Sequence, residues 1–187
     1  MNSYFDKDLY RYYGPESRKI SVKFRSVLCT PGIQYTYLMR KAQYCNPAFF
    51  RKFWRGALHI CKIITAIQIP ADTEIGPGFR ILHFGNIVVN PAAVIGKNFN
   101  VAQGVLIGSS GGAKNGSPVI GDNCCAFANS IIIGGIRIGN NVLIAPGAFV
   151  NFDVPDNSIV MGNPGKIRPR TSSPTSKYIL YDIDQMK

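Results

Sequence analysis

IGDNCCAFANSIIIGGIRIGNNVLIAPGAFV, residues 120–150, places an aliphatic or small residue at every sixth position: Ile120, Ala126, Ile132, Ile138, Ile144 and Val150. A period of six fits neither the 3.6-residue turn of an α-helix nor the two-residue alternation of a strand. It fits a solenoid whose coil is a triangle of three short flat strands. Each hexad then sends one aliphatic side chain to the axis and turns a corner with small or polar residues. Gly121-Asp122-Asn123 and Gly139-Asn140-Asn141 supply such corners, because Gly and Asn tolerate left-handed backbone. Stacking coils buries one continuous aliphatic core, so the repeat stands only as an array.

Upstream the same spacing holds through Ile75, Ile81 and Ile87, and again through Ile95, Val101 and Ile107. Two breaks interrupt it. The step from Ile87 to Ile95 reads as two extra residues, and that from Ile107 to Ile120 as seven, in the segment SSGGAKNGSP, residues 109–118. The ladder ends near Val150; Asp153 to Asn157 make a turn, and Ile159-Val160-Met161 a last strand. The expected fold is mainly β: a left-handed parallel β-helix over residues 75–167, with a small N-terminal α-helical region. The organisation read from this is a basic helical region (1–66), a β-helix domain (67–168) with an extended loop (109–118), and a C-terminal linker and tail (169–187).

Before residue 66 the pattern is helical, punctuated by Gly14-Pro15, Pro31-Gly32 and Asn46-Pro47, and predicts two or three short helices. Aromatics at three- and four-residue spacing read as helix packing. Most of the net charge of +11 lies here: 12 of the 21 Lys and Arg fall in residues 1–65 against three acids, Asp6, Asp8 and Glu16. Such a surplus suits a basic solvated face or a peripheral contact with an anionic membrane surface. No apolar run is long enough to span a bilayer, and MNSYFDKDLYRYYG lacks the apolar core of a secretory signal. The expected location is the cytoplasm, including the inner membrane face. The five cysteines form no CxxC pair and neither histidine sits at ligand spacing, so buried free thiols and no metal are expected. Nothing suggests a nucleic-acid partner.

Several stretches together resemble the serine acetyltransferase-like branch of the hexapeptide acyltransferases, and most nearly its polysaccharide-biosynthesis O-acetyltransferases. They are Ile67-Gln68-Ile69-Pro70, Leu82 to Pro91 (LHFGNIVVNP), Asn100 to Gly108 (NVAQGVLIG), Val154 to Ser158 with Gly162-Asn163-Pro164, and the opening Asp8 to Gly14 (DLYRYYG). The resemblance implies a homotrimer with sites in clefts between neighbouring β-helices, an extended loop walling each cleft, and acetyl-CoA as co-substrate. It implies His83 as general base, an imidazole being able to exchange protons near neutral pH. It places acetyl-CoA contacts at Gly108, Ala128, Gly134, Ala145 and Gly147, with Lys166 and Arg168 near the CoA phosphates and adenine. Asn86, Lys114 and Asn115 are the acceptor-side candidates. His59, between Leu58 and Ile60, reads as structural.

Two departures stand out. The family's carboxylate 15 residues before the histidine is Gln68 here. An amide can fix the imidazole tautomer but cannot stabilise imidazolium as a carboxylate does; Asp72 and Glu74 are the nearest substitutes. The serine enzymes' Asp directly before the histidine is Leu82, and the loop carries Gly116-Ser117 where they have an Arg-His pair. These losses point away from free serine and toward a hydroxyl of a sugar or glycan precursor. Serine O-acetylation and a non-catalytic β-helix scaffold are the alternatives.

Overall fold

In a computed structural model, residues 3–186 are described. Four α-helices precede the repeat, more than the turn signals predicted: α1 (Tyr4–Tyr13), α2 (Ile20–Cys29), α3 (Pro31–Tyr44) and α4 (Ala48–Thr65), with a 3-10 turn at Gly14–Arg18. α1 begins with a reciprocal capping box between Ser3 and Asp6. The strands that follow are two to four residues long and form three parallel faces. One face stacks β1 (Ile67–Gln68), β4 (Ile87–Val89), β7 (Leu106–Gly108), β10 (Ile131–Ile133) and β13 (Phe149–Val150). The second stacks β2 (Glu74–Ile75), β5 (Val94–Ile95), β8 (Val119–Ile120) and β11 (Arg137–Ile138). The third stacks β3 (Arg80–Ile81), β6 (Asn100–Val101), β9 (Cys125–Ala126), β12 (Leu143–Ile144) and β14 (Ser158–Met161), closed by antiparallel β15 (Lys166–Pro169). This is the left-handed parallel β-helix.

Every residue of the hexad ladder is buried. The register, however, moves the first break. Ile81 pairs with Val101, and Val89, not Ile87, pairs with Ile107. The two extra residues therefore lie between Ile81 and Val89, in the corner that carries His83, and Val89 to Ile95 is a regular hexad. The slip arises because Ile87 and Val89 are both buried on one three-residue strand, so either satisfies a count of aliphatics.

The corners divide the work of Asn and Gly. Asn98, Asn123, Asn141 and Asn157 take positive φ, and two of the neighbouring pairs in this column hydrogen-bond side chain to side chain, Asn98 to Asn123 at 2.9 Å and Asn141 to Asn157 at 3.0 Å. The glycines that follow the inward isoleucines are there for space. A Cβ on Gly76 would lie 2.7 Å from the Gly96 carbonyl carbon, and one on Gly96 2.8 Å from that of Gly121. Gly96→Ala is expected to cost about 1–3 kcal/mol, as overpacking does. Gly56, inside α4 with nothing within 4 Å of its missing Cβ, is the control. Gly56→Ala is expected to add roughly 0.5–1 kcal/mol. Urea unfolding of both variants reads the opposite signs.

The first coil has no coil above it, and its open edge is capped by polar side chains of α1 and α3. The Tyr12 hydroxyl donates to Ile81 O at 3.0 Å and accepts from Ile81 N at 2.8 Å; the Tyr35 hydroxyl does the same at Ile69, at 2.8 and 2.9 Å. Arg40 donates to Ile75 O and Gly76 O, and Arg11 to Gly78 O. These groups would otherwise be an unpaired strand edge. Asp8 is buried between Arg40 and the Phe79 N–H, accepting at 2.7 and 2.8 Å. The basic solvated face expected for residues 1–65 is thus partly interior, and Tyr12 and Tyr35 are hydrogen-bonding groups as well as packing ones.

α4 lies against the helices and the first coil through Leu58, Cys61 and Thr65 and leaves Phe49, Phe53, Ile60, Ile63 and Ile64 exposed. Among the described residues, no helix is long and apolar enough to cross a membrane. All five cysteines are free; Cys61, Cys124 and Cys125 are buried, whereas Cys29 is exposed, against expectation, and Cys45 is partly so. The tail folds back along the third face. Tyr178 stacks edge-on with Phe127, Asp182 accepts from Asn98, and Lys97 pairs with Asp184.

Candidate active site

His83 sits in the widened corner between β3 and β4 and is exposed. It opens on a cleft of about 410 Å³ lined by Tyr12, Thr30, Pro31, Gly32, Arg80, Ile81, Leu82 and Phe84 as well. The helical region therefore supplies one wall, through the end of α1 and the start of α3. Tyr12 is fixed by its two bonds to Ile81, and burial pushes its hydroxyl up, so it stays protonated. Arg80 leaves β3 outward and lies with its guanidinium 5.2 Å from the Tyr12 ring centroid. Phe84 adds an exposed apolar side to the opening.

Among the described residues, no side-chain hydrogen bond reaches His83 or Gln68. Gln68 is exposed on β1, in the strand that pairs with β4, while His83 lies in the corner ahead of β4. Asp72 is held by Arg55 in a bidentate pair, which keeps its carboxyl below the usual carboxylate range, and Glu74 is exposed on β2. Neither is bonded to the imidazole. The buried thiols offer no alternative nucleophile: burial pushes both Cys124 and Cys125 up to about 12.

The residues expected to hold acetyl-CoA fall in two columns. Gly147 donates to Ala128 O at 2.9 Å, and Ala145 lies two residues before it; this corner is open, with nothing within 4 Å of where a Gly147 Cβ would be. Gly134 donates to Gly108 O at 3.1 Å, but Gly134 is covered by the loop, since a Cβ there would meet Lys114 O at 2.9 Å. Lys166 and Arg168 are exposed on β15, at the last rung of the third face.

The acceptor-side candidates are not gathered around His83. Asn86, at positive φ, shares its corner but does not line the cleft. The 109–118 loop is a hairpin closed by paired Ser110–Gly116 backbone bonds and laid on its own coil, with Gly135 N–H donating to Lys114 O at 2.7 Å. Lys114 is paired with Asp153 at 2.8 Å, and Asn115 is exposed next to Gly116 at the closed base of the loop. The loop leaves the far end of β7, and the His83 corner enters the near end of β4, so one chain holds them at opposite edges of the first face.

Sequence reasoning missed Arg80, Tyr12 and the Thr30–Gly32 wall. Tyr12 had a signal in the DLYRYYG stretch, read there only as a family feature. Arg80 had one in its spacing, three residues before the histidine on a strand whose next residue points inward. Its Nε is buried without a hydrogen-bond partner.

Among known proteins, the family described as bacterial transferase hexapeptide (six repeats) matches residues 117–151. The serine acetyltransferase of Bacillus subtilis is 30% identical over 171 residues, covering 89% of this chain and 73% of that protein. That of Synechococcus elongatus is 30% identical over 143 residues, 75% of this chain, and this chain spans only 58% of its length. A crystal structure of Neisseria gonorrhoeae serine acetyltransferase in complex with serine superimposes with a TM-score of 0.71 at 26% identity, covering 88% of this chain and 67% of that one. These relatives overturn the expectation of a sugar or glycan acceptor and of a nearest kinship with polysaccharide-biosynthesis enzymes. That expectation rested on two local losses, at Leu82 and in the loop. The likeness to serine acetyltransferases runs through most of the chain, 89% of it in the Bacillus subtilis alignment, and so extends well beyond the hexads at 117–151. The chain belongs to the serine acetyltransferase family of hexapeptide-repeat transferases.

Proposed function

We propose that the protein is a cytoplasmic serine O-acetyltransferase that uses acetyl-CoA, with His83 as general base. The observation that carries this is the alignment with the Bacillus subtilis enzyme across nine-tenths of the chain, at a cleft whose exposed histidine has an open face. Acetyl-CoA supplies an activated thioester. His83 takes the proton from the serine hydroxyl as its oxygen attacks the acetyl carbon, and returns it to the departing sulfur. Ala128, Ala145 and Gly147 fit the pantetheine arm because their small side chains leave the corner open, and Lys166 and Arg168 are the cations for its phosphates. Gln68 takes the place of the dyad carboxylate as a neutral acceptor for the imidazole N–H.

We infer a homotrimer for the same reason that one chain looks incomplete. His83 and the loop carrying Lys114 and Asn115 lie at opposite edges of one face, so a neighbour's loop can close the cleft. The uncovered apolar stripe of α4 supports close approach of another copy. A peripheral membrane contact would use that same stripe, flanked by Arg51, Lys52, Arg55 and Lys62. Co-sedimentation with anionic vesicles, set against a solution mass of three times 20.5 kDa, separates the two uses.

The test of the reaction is thiol release from acetyl-CoA. Release that depends on L-serine and saturates with it is the expected result. Release that is indifferent to serine contradicts the proposal.

A further inference from the structure

The His83 cleft contains a cation with no anion. Arg80 lines it, and among the described residues Arg80 has no carboxylate partner and makes no side-chain hydrogen bond, its Nε being buried and unsatisfied. What it has is the Tyr12 ring, whose centroid lies 5.2 Å from the guanidinium carbon. The neighbouring cation, Arg11, is spent: it donates to Gly78 O at 2.8 Å and Asn100 Oδ1 at 2.9 Å. Its pKa is lowered to about 10, first by burial and then by the charge of Arg80. The nearby carboxylate of Asp8 is taken by Arg40. A partly buried guanidinium, repelled by a second one and left without a counter-ion, favours an incoming anion.

We propose that Arg80 grips the α-carboxylate of the acceptor serine, in place of the loop arginine that this chain lacks. The inference rests on the serine reading of the site. One planar guanidinium matches one carboxylate in a bidentate pair, and Arg80 reaches the cleft from three residues before the base. The acceptor hydroxyl, two bonds from the Cα that bears the carboxylate, can then be presented to His83. Leu82 and Phe84 supply no acid to hold the ammonium group, so recognition falls on the carboxylate. Serine should therefore be strongly preferred to serinamide, which has the same hydroxyl and ammonium but no anion.

The experiment compares L-serine and L-serinamide as acceptors for wild type, Arg80→Lys and Arg80→Gln, with thermal unfolding and solution mass as controls. Wild type is expected to favour serine about 10- to 100-fold in kcat/KM, the range of a charge-assisted hydrogen-bonded pair. Arg80→Gln is expected to raise KM for serine by the same factor and to bring the preference near unity, with KM for acetyl-CoA unchanged. Arg80→Lys, a point charge without the fork, should fall between. A wild type that uses both acceptors equally well, or an Arg80→Gln that folds and keeps its KM for serine, overturns the role of Arg80 while leaving serine acetylation standing. A wild type inert toward serine takes down the serine reading itself. Should Arg80→Gln fail to fold, the wild-type ratio and the lysine variant still decide.

Discussion

Replacing His83 with alanine is expected to lower kcat/KM for the proposed serine acetylation by about 10²–10⁴-fold, the usual contribution of a positioned general base. The imidazole is exposed, bonds to no described side chain, and sits in a corner made by backbone. Removing it should leave the unfolding free energy within about 0.5 kcal/mol of wild type, as at other surface sites. Activity and stability are thus expected to separate cleanly, with the solution mass unchanged. Steady-state kinetics beside urea unfolding measures both. A variant that retains wild-type turnover would remove His83 from the chemistry and leave the cleft as a binding surface only.

Arg40→Leu is expected to cost about 3–5 kcal/mol, the penalty for breaking a buried ion pair from one side. Arg40 is buried and donates to five acceptors: Gln43 Oε1 beside it on α3, at 3.2 Å, and four more in two layers. Both oxygens of Asp8 belong to α1, at 2.7 and 3.2 Å, and the Ile75 and Gly76 carbonyls to the open edge of the first coil, at 2.8 and 2.7 Å. Leucine fills much of the volume and satisfies none of them. Burial already pushes the Asp8 carboxyl up against the pull of Arg40. Without the guanidinium that rise is unopposed by charge, and an acid whose folded pKa is raised loses stability as pH rises above its unfolded value. The deficit of the variant should therefore shrink on acidification. Denaturant unfolding at neutral and mildly acidic pH reads the size and the slope. A cost below 1 kcal/mol, or a deficit indifferent to pH, would mean that the helices do not depend on this anchor.

The solenoid was legible because its signal is periodic and repeats: positions six apart from Ile120 to Val150 all point to one axis, and no local interaction competes. The same counting misplaced the first break, since Ile87 and Val89 are both aliphatic and both inward, and only strand pairing tells which one continues the ladder. The helical region was legible as helices and not as a cap. Tyr12, Tyr35, Arg11 and Arg40 answer backbone groups 34 to 69 positions away, as the Tyr35–Ile69 and Tyr12–Ile81 bonds show. Nothing in the sequence near them marks the partner.

The site divided in the same way. His83 stood out because only two histidines exist and one lies in a coil corner. The sugar-acceptor expectation came from two motif positions, Leu82 in place of an acid and Gly116-Ser117 in place of an Arg-His pair, and a motif position does not report a charge brought to the cleft from elsewhere, as Arg80 is. Arg80 shows how a cleft built from two elements can place a charge that a motif does not contain. The loop residues Lys114 and Asn115 illustrate the converse. They sit near the motif in sequence, yet in one chain they lie across a whole face from the base.

Product identification tests the central claim most directly. The protein is incubated with isotopically labelled acetyl-CoA and L-serine, and the small-molecule fraction is analysed by mass spectrometry. The account predicts O-acetylserine carrying the labelled acetyl group, formed in step with CoA release and absent with His83→Ala. Thiol release without acetylated serine, or no reaction with serine at saturating acetyl-CoA, would contradict it.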